Sequence, residues 1–107
     1  MSFKVDVTKQ TDGPKCPKGS TAIVHYTGRL TNGTVFDSSV TRGKPFEFAL
    51  GMGQVIKGWD EGVAQMRKGE KATITCPPDY AYGSKGAGGV IPPNATLVFE
   101  VELLDFK

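Results

Sequence analysis

The sequence has few of the residues that most enzymes use for chemistry. It contains one histidine and two cysteines among 107 residues. His25 alone builds no catalytic triad, and a single histidine in mid-strand is more often a packed, hydrogen-bonded residue than a catalyst. Cys16 and Cys76 lie far apart and have no CxxC partner, so neither a zinc site nor a redox motif is indicated. We therefore expect two reduced packing cysteines, no metal and no cofactor.

Clustered charge is also missing. The 13 Lys and Arg residues and the 11 Asp and Glu residues are scattered from Lys4 to Lys107, for a net charge of +2. Nucleic acid and anionic membranes both require a concentrated positive face, so neither is an expected partner. The glycines within residues 83–89 lack the GxxxxGK[ST] context of a phosphate-binding loop.

No long apolar run is present. Lys4 and Asp6 fall where a signal peptide would need its apolar stretch, and no segment reaches the length of a membrane span. A chain of 107 residues has the length of one domain. We expect a cytoplasmic protein whose residues 1–107 form a single domain.

The chain does contain much glycine and proline, 14 and 7 residues, clustered between runs that alternate apolar and polar side chains. Such alternation predicts β-strands. The runs are residues 3–8, 21–27, 35–36, 46–50, 71–76 and 97–103. Asn32-Gly33 predicts a hairpin turn, because both residues tolerate positive φ. The interruption at residues 38–45 predicts one strand split by a bulge or loop.

The segment around the single tryptophan, Trp59, is the only convincingly helical one, and we expect Gly69 to end it. Its apolar stripe, spaced at 3.6 residues per turn, consists of Ile56, Trp59, Val63 and Met66. Gly58 and Gly62 weaken a helix by roughly 1 kcal/mol each, which indicates that neighbouring backbone approaches them closely. Trp59 either fills the core or forms the base of a cavity. One short helix against an antiparallel sheet makes the fold class α+β.

The connection across residues 77–95 is unusually long for so small a domain, and long loops are usually functional or mobile. A floppy connector and a binding flap are the two readings. The flap is favoured by apolar side chains that are better covered than exposed, namely Tyr80, Tyr82, Val90 and Ile91.

Apolar and aromatic residues with a few polar groups among them remain as a candidate site. They are Tyr26, Phe36, Phe46, Val55, Ile56, Trp59, Tyr82, Ile91 and Phe99, with Asp37, Arg42 and the Tyr82 phenol as the polar groups. An apolar pocket with sparse polar anchors suits a small apolar ligand.

Six motifs spread over the whole chain resemble those of one known family. They are Val24-His25-Tyr26-Thr27-Gly28, Phe36-Asp37-Ser38-Ser39, Lys44-Pro45-Phe46, the stretch from Val55 to Val63, Pro78-Asp79-Tyr80-Ala81-Tyr82-Gly83, and the stretch from Ile91 to Leu103. In this order and spacing the chain resembles the FKBP-type peptidyl-prolyl cis-trans isomerases, and in particular their small, single-domain cytosolic members. The resemblance implies a half-barrel of antiparallel strands wrapped around one short helix, with a pocket between helix and sheet.

The resemblance also implies which residues meet a ligand. Those expected to bind it are Tyr26, Phe36, Asp37, Arg42, Phe46, Gln54, Val55, Ile56, Trp59, Tyr82, Ile91 and Phe99. Those expected to act in catalysis are Asp37, Tyr82, Phe36 and Trp59. Trp59 would form the floor under a proline ring, and Phe36 and Ile91 would contact the residue before the proline.

The polar groups have implied roles as well. The Ile56 N–H and the Tyr82 hydroxyl would hold ligand carbonyls, and Gln54 would offer mainly its backbone carbonyl. Asp37, oriented by Arg42 and Tyr26, would accept a hydrogen bond or polarise the twisting amide. An ordinary salt bridge on a loop is the alternative reading of the Asp37 and Arg42 pair.

Proline-containing peptides and the drugs tacrolimus and rapamycin are the implied ligands, with calcineurin or TOR kinase as partners of a drug complex. Calcineurin is the less secure of the two, because Gly86-Ala87-Gly88-Gly89 departs from the family pattern of an aromatic or histidine followed by proline. We expect a monomer, although Val90-Ile91-Pro92 could dock into a neighbour's pocket. A pocket that regulates a partner protein without catalysis is the alternative function.

Overall fold

The computed structural model describes residues 2–107, which form six β-strands and two short helices. The strands are β1 (Lys4–Lys9), β2 (Thr21–Leu30), β3 (Val35–Ser38), β4 (Phe46–Ala49), β5 (Lys71–Cys76) and β6 (Leu97–Phe106). The helices are α1 (Ser39–Arg42), a single turn, and α2 (Lys57–Gly62). Every strand pairing is antiparallel, in the order β1-β5-β6-β2-β3. The predicted α+β fold, an antiparallel sheet around one short helix, is confirmed.

The predicted split strand is confirmed at one edge of the sheet. β3 pairs with the far end of β2, and β4 pairs with its beginning, so both occupy the same side of β2. The interruption contains α1. The Ser38 hydroxyl accepts a hydrogen bond from the Thr41 N–H at 3.3 Å and caps this turn, and Gly43 ends it with φ of 72°.

The turn between β2 and β3 lies at Asn32-Gly33, as predicted, but only Gly33 has a positive φ, of 90°. The Gly33 N–H donates to the Leu30 carbonyl at 2.9 Å, and the Leu30 N–H donates to the Thr34 carbonyl at 2.9 Å. This is a three-residue hairpin loop that ends in a left-handed glycine, so one positive φ is sufficient.

The alternation of β5 and β6 places one face of each strand in the core. The side chains on that face are Ala72, Ile74, Cys76, Leu97, Phe99, Val101 and Leu103, all at most 3% exposed. The antiparallel register sets Ile74 opposite Phe99 and Ala72 opposite Val101. Burial of one such large side chain is worth about 1.5–3 kcal/mol, and α2 packs against this face.

Helix α2 is shorter than predicted, because it ends at Gly62 and continues only as a 3₁₀ turn over Val63–Gln65. The buried Glu70 carboxylate accepts a hydrogen bond from the Arg67 N–H at 3.0 Å, which fixes a separate turn before Gly69. Both helix glycines are closely approached, but mainly by side chains and not by backbone as predicted. A Cβ on Gly58 would lie 2.3 Å from the Cys76 sulfur, and one on Gly62 would lie 2.8 Å from Ile74 Cδ1.

The long loop is tied down at several points. Ala87 and Ile91 exchange two main-chain hydrogen bonds of 3.0 Å, and the Asn94 N–H donates to the Gly83 carbonyl at 2.9 Å. Ile91 is 6% exposed, as predicted, but Val90 is 55% exposed and Tyr82 is 42% exposed, so covering of these two side chains was wrongly predicted. Because Ile91 is buried, docking into a neighbouring pocket would require the loop to open.

The residues with reactive side chains are packed, as predicted. Cys16 and Cys76 are buried and free, and burial raises the pKa of Cys76 to about 12. The His25 Nδ1 lies 2.9 Å from the Ser39 hydroxyl. Within residues 2–107, no helix has the length and apolar character needed to cross a bilayer, and no group of three or more metal-binding side chains is arranged around a common point.

Candidate functional site

A cavity of about 270 Å³ opens between α2 and the sheet. Its walls are Tyr26, Phe36, Asp37, Phe46, Gln54, Val55, Ile56, Trp59, Tyr82 and Phe99. The structure thus brings together all but two of the residues expected to bind a ligand. Arg42 does not line the cavity but contacts Asp37 and Tyr26 from outside. Ile91, expected to contact a ligand, is buried in the core and is not part of the lining.

Trp59 forms the floor of the cavity and is only 4% exposed, so the core reading and the cavity reading are both correct. Its ring meets the Tyr26, Phe46 and Phe99 rings edge to face, at centroid distances of 4.7, 5.8 and 5.3 Å. Among residues 2–107, nothing accepts a hydrogen bond from the buried indole N–H. The floor is therefore an apolar ring system with one unpaired donor.

Gly28 contributes to the site by having no side chain, which the sequence analysis missed. A Cβ on Gly28 would lie 2.6 Å from Phe36 Cζ and 2.9 Å from Phe99 Cε1. The two phenylalanine rings therefore meet over β2, at 5.7 Å and 83°. Gly28 directly follows the predicted strand at residues 21–27, and the structure extends β2 through it to Leu30, where a glycine indicates close approach.

A polar cluster of Tyr26, Asp37 and Arg42 stands at the mouth of the cavity. The Tyr26 hydroxyl donates to Asp37 Oδ2 at 2.5 Å. Arg42 Nη1 donates to Asp37 Oδ1, and Arg42 Nη2 donates to the Tyr26 hydroxyl at 3.0 Å. Each member contacts the other two, so Asp37 is held in one orientation and the simple salt-bridge reading is incomplete.

The cluster determines the ionisation of its members. Burial alone would raise the pKa of Asp37, but hydrogen bonds from Tyr26 and Arg42 together with the Arg42 charge bring this pKa below its usual value. Burial, and then Asp37, raise the pKa of Tyr26 and of Tyr82. At neutral pH the cavity mouth therefore presents a carboxylate and a neutral Tyr82 phenol.

The turn before α2 positions Val55 and Ile56 through two side chains. The Asp60 carboxylate accepts hydrogen bonds from the Gly51 N–H at 2.9 Å and the Gly53 N–H at 3.0 Å. Gln54 Oε1 accepts one from the Ala49 N–H at 3.0 Å. The sequence analysis assigned Asp60 no role, because a carboxylate that binds loop N–H groups has no distinctive spacing.

A larger groove, of about 420 Å³, lies on the other face of the sheet. Charged and hydroxyl side chains form much of its lining, among them His25, Thr27, Lys71, Thr73, Glu100 and Glu102. It has no aromatic floor comparable with Trp59. The aromatic walls and floor make the smaller cavity the better match for an apolar ligand, and we therefore take it as the candidate site.

Comparisons with known proteins bear on the family and on the fold. A family model described as FKBP-type peptidyl-prolyl cis-trans isomerase matches residues 13–104. The chain is 62% identical over 107 residues to FK506-binding protein 1 of Dictyostelium discoideum, with 100% of both chains covered. It is 62% identical over 105 residues to peptidyl-prolyl cis-trans isomerase Fkbp12 of Drosophila melanogaster, covering 97% of each. A solved structure described as the crystal structure of AtFKBP13 matches with a TM-score of 0.90 and 38% identity, covering 100% of both chains.

Proposed function

Because this chain belongs to the FKBP-type peptidyl-prolyl cis-trans isomerase family, we propose that it accelerates rotation about Xaa-Pro bonds in the cavity above Trp59. The apolar cavity with one oriented carboxylate at its mouth is the observation that supports this most. In this proposal the residues named from the sequence, with the exception of Ile91, are assigned the roles expected of them, and Arg42 acts by orienting Asp37.

Rotation about a peptide bond meets a barrier of about 18–20 kcal/mol, because resonance is lost as the amide twists. An Xaa-Pro bond consequently isomerises in about 10–100 s without a catalyst. The planar amide is the more charge-separated form, so water stabilises it more than the twisted form. A thousandfold acceleration requires about 4 kcal/mol. Removal of water by the aromatic walls, together with one hydrogen bond that improves in the twisted state, supplies such an amount without a nucleophile.

Each wall has a part in this reaction. The proline ring rests on Trp59, while Phe36 contacts the preceding residue. The Ile56 N–H and the Tyr82 hydroxyl donate to substrate carbonyls, and the Ile56 carbonyl is fixed by the Trp59 N–H at 3.0 Å as α2 begins. Asp37, ionised and held by its two partners, favours the charge distribution of the twisting amide.

The same cavity binds tacrolimus and rapamycin, because both the apolar walls and the polar anchors suit a ligand of that kind. The drug complex would then present a composite surface to calcineurin or TOR kinase. Inhibition of calcineurin is the weaker part of this proposal, since the exposed Gly88 and Gly89 offer a partner little side-chain contact. We further propose that the chain is a monomeric, cytoplasmic protein of a single domain.

The test combines turnover and binding. Phe36→Tyr and Asp37→Val should lower kcat/KM in a protease-coupled peptide assay about tenfold or more, as expected for a lost charged hydrogen bond or a disturbed pocket wall. The melting temperatures of both variants should stay near that of the wild type. For Asp37→Val the reason is that the Asp37 side chain is 42% exposed. Asp12→Val, an exposed carboxylate in a loop, is the matched control. Unchanged turnover in both pocket variants would refute the assignment.

Titration with tacrolimus, followed by the fluorescence of the single Trp59, separates the alternatives. Binding with no acceleration of isomerisation would favour a module that regulates a partner through the same pocket. Absence of both would reject the site itself.

A further inference from the structure

The start of the long loop is held by two residues outside the cavity. The Phe3 ring stacks on the Tyr80 ring, with centroids 4.4 Å apart and planes 5° apart. The Lys57 ammonium lies 4.5 Å from the centre of the same Tyr80 ring. Parallel stacking and a cation over a ring face are both favourable contacts. We call Phe3, Lys57 and Tyr80 the clamp, because they join the segment before β1, the first residue of α2 and the loop.

The clamp adjoins both groups that are proposed to bind ligand carbonyls. Lys57 directly follows Ile56, and Tyr80 precedes Tyr82 by two residues. The Tyr80 carbonyl would lie 3.1 Å from a Cβ on Gly58, so the loop and α2 touch at this point.

The chain between Tyr80 and Tyr82 has little freedom of its own. The Ala81 N–H donates to the Pro78 carbonyl at 3.0 Å, and the Gly83 N–H donates to the same carbonyl at 2.9 Å. A displacement of the Tyr80 ring therefore moves the backbone that carries Tyr82. Tyr82 is 42% exposed, so this backbone sets the point from which its side chain reaches the cavity.

We propose that Phe3 and Lys57 are positioning residues, which hold the Tyr82 hydroxyl at the right separation from the Ile56 N–H and so increase affinity for the substrate. This inference rests on the proposed function, which assigns those two donors. With the loop backbone already fixed, ligand binding has to order little more than the Tyr82 side chain, and less entropy is lost.

The main test is a double-mutant cycle between Phe3→Ala and Tyr82→Phe. Phe3→Ala alone should raise the Kd for tacrolimus and the KM for an Xaa-Pro peptide about three- to tenfold, the size of one aromatic pair, with kcat little changed. In the Tyr82→Phe background the same change should have almost no further effect, because the hydroxyl to be positioned is gone. Phe3→Tyr, which keeps the stacking ring, should retain the affinity.

Two further variants separate positioning from general stabilisation. Val7→Ala removes a half-buried side chain from β1, opposite Ala72 in the sheet, and should lower stability without weakening ligand binding. Lys57→Met keeps the aliphatic stem but removes the charge, so it should weaken binding in the same direction as Phe3→Ala and to a smaller extent. It also serves if Phe3→Ala proves too unstable to measure.

Equal effects of Phe3→Ala and Val7→Ala on affinity, or an undiminished effect of Phe3→Ala in the Tyr82→Phe background, would overturn the inference. A wild-type protein that neither binds tacrolimus nor accelerates isomerisation would instead reject the proposed function. The two failures are therefore distinguishable in the same set of measurements.

Discussion

The two sides of the cavity are built by different means. The sheet side, with Tyr26, Asp37 and Arg42, is held by hydrogen bonds between side chains. Behind it, the Tyr26 main-chain N–H donates to the fully buried Ser39 hydroxyl at 2.8 Å. The loop side, which carries Tyr82, is held by main-chain hydrogen bonds within residues 77–96 and by the clamp.

This difference indicates that the two sides of the cavity have different functions. Partly exposed side-chain hydrogen bonds from Tyr26 and Arg42 fix the carboxylate before a ligand arrives, so its orientation requires no rearrangement during the reaction. Main-chain contacts between glycine-rich segments hold a loop less firmly, because few side chains are buried with it. We therefore expect the sheet side to set catalysis and the loop side to set affinity.

The largest effect on stability should come from Ser39→Ala, which breaks the sheet side. The buried Tyr26 N–H would lose its acceptor, which costs about 1–3 kcal/mol of unfolding free energy. Urea denaturation measures this, and the exposed Ser84→Ala serves as the control, with a change below about 0.5 kcal/mol. If Ser39→Ala lowers the unfolding free energy no more than Ser84→Ala does, the hydrogen bond from the Tyr26 N–H to the Ser39 hydroxyl does not stabilise the sheet side.

Gly86→Ala should break the loop side with a smaller effect on global stability. Its Cβ would lie 2.2 Å from the Ile91 carbonyl oxygen, at a φ of 67°. The loop should open locally, and tacrolimus binding should weaken about tenfold, because the cost of closing the loop is added to binding.

Gly88→Ala is the matched control for the loop. Gly88 also has a positive φ, of 52°, but a Cβ there would meet no atom within 4 Å. It carries only the left-handed penalty of about 1 kcal/mol or more and should weaken binding less. Isothermal titration with tacrolimus measures both variants. If Gly86→Ala and Gly88→Ala lose the same affinity, backbone strain alone accounts for the effect.

Arg42→Met should have the smallest effect, visible mainly as a shift in pH dependence. The lowered pKa of Asp37 means that its contribution to stability and activity is present above the unfolded value of about 3.9 and is lost only as pH falls through the lower folded value. Removal of Arg42 raises the folded pKa, so the acid limb of kcat/KM should move to higher pH.

NMR exchange of an Xaa-Pro peptide measures the acid limb of kcat/KM. The pH should be varied from about 3 to 7, which covers the range in which carboxylates usually titrate. Lys44→Met removes a nearby cation that makes no contact with Asp37 and should leave the limb in place. An unshifted limb in Arg42→Met would mean that Arg42 does not control the ionisation of Asp37.

Much of the fold could be predicted from the sequence, because alternation in β5 and β6 and the Asn32-Gly33 turn are local signals. The end of α2 was predicted wrongly. Gly69 is a good helix stop, yet the helix ends earlier because Glu70 captures the Arg67 N–H in a turn of its own. The same carboxylate accepts a hydrogen bond from the Thr11 N–H at 3.2 Å, a contact between distant segments that no local pattern reports.

The site was predicted largely through a family resemblance and less through local chemistry. Residue types alone indicated an apolar pocket, but the arrangement of Tyr26, Asp37 and Arg42 required three separate segments to meet. Gly28 carried a visible signal that was not used. Asp60 carried none, since the glycine N–H groups that it accepts from are brought to it only by the turn at residues 50–56.

The amino-acid sequence by itself determined which strands form and that one helix buries the face of Trp59, because side-chain period and glycine placement act over a few residues. Only the tertiary structure decided that Trp59 faces an open cavity, that Ile91 is buried in the core, and that Phe3 stacks on Tyr80, which is distant in the sequence. These outcomes depend on how distant surfaces fill space against each other, and packing of that kind is fixed by the whole fold.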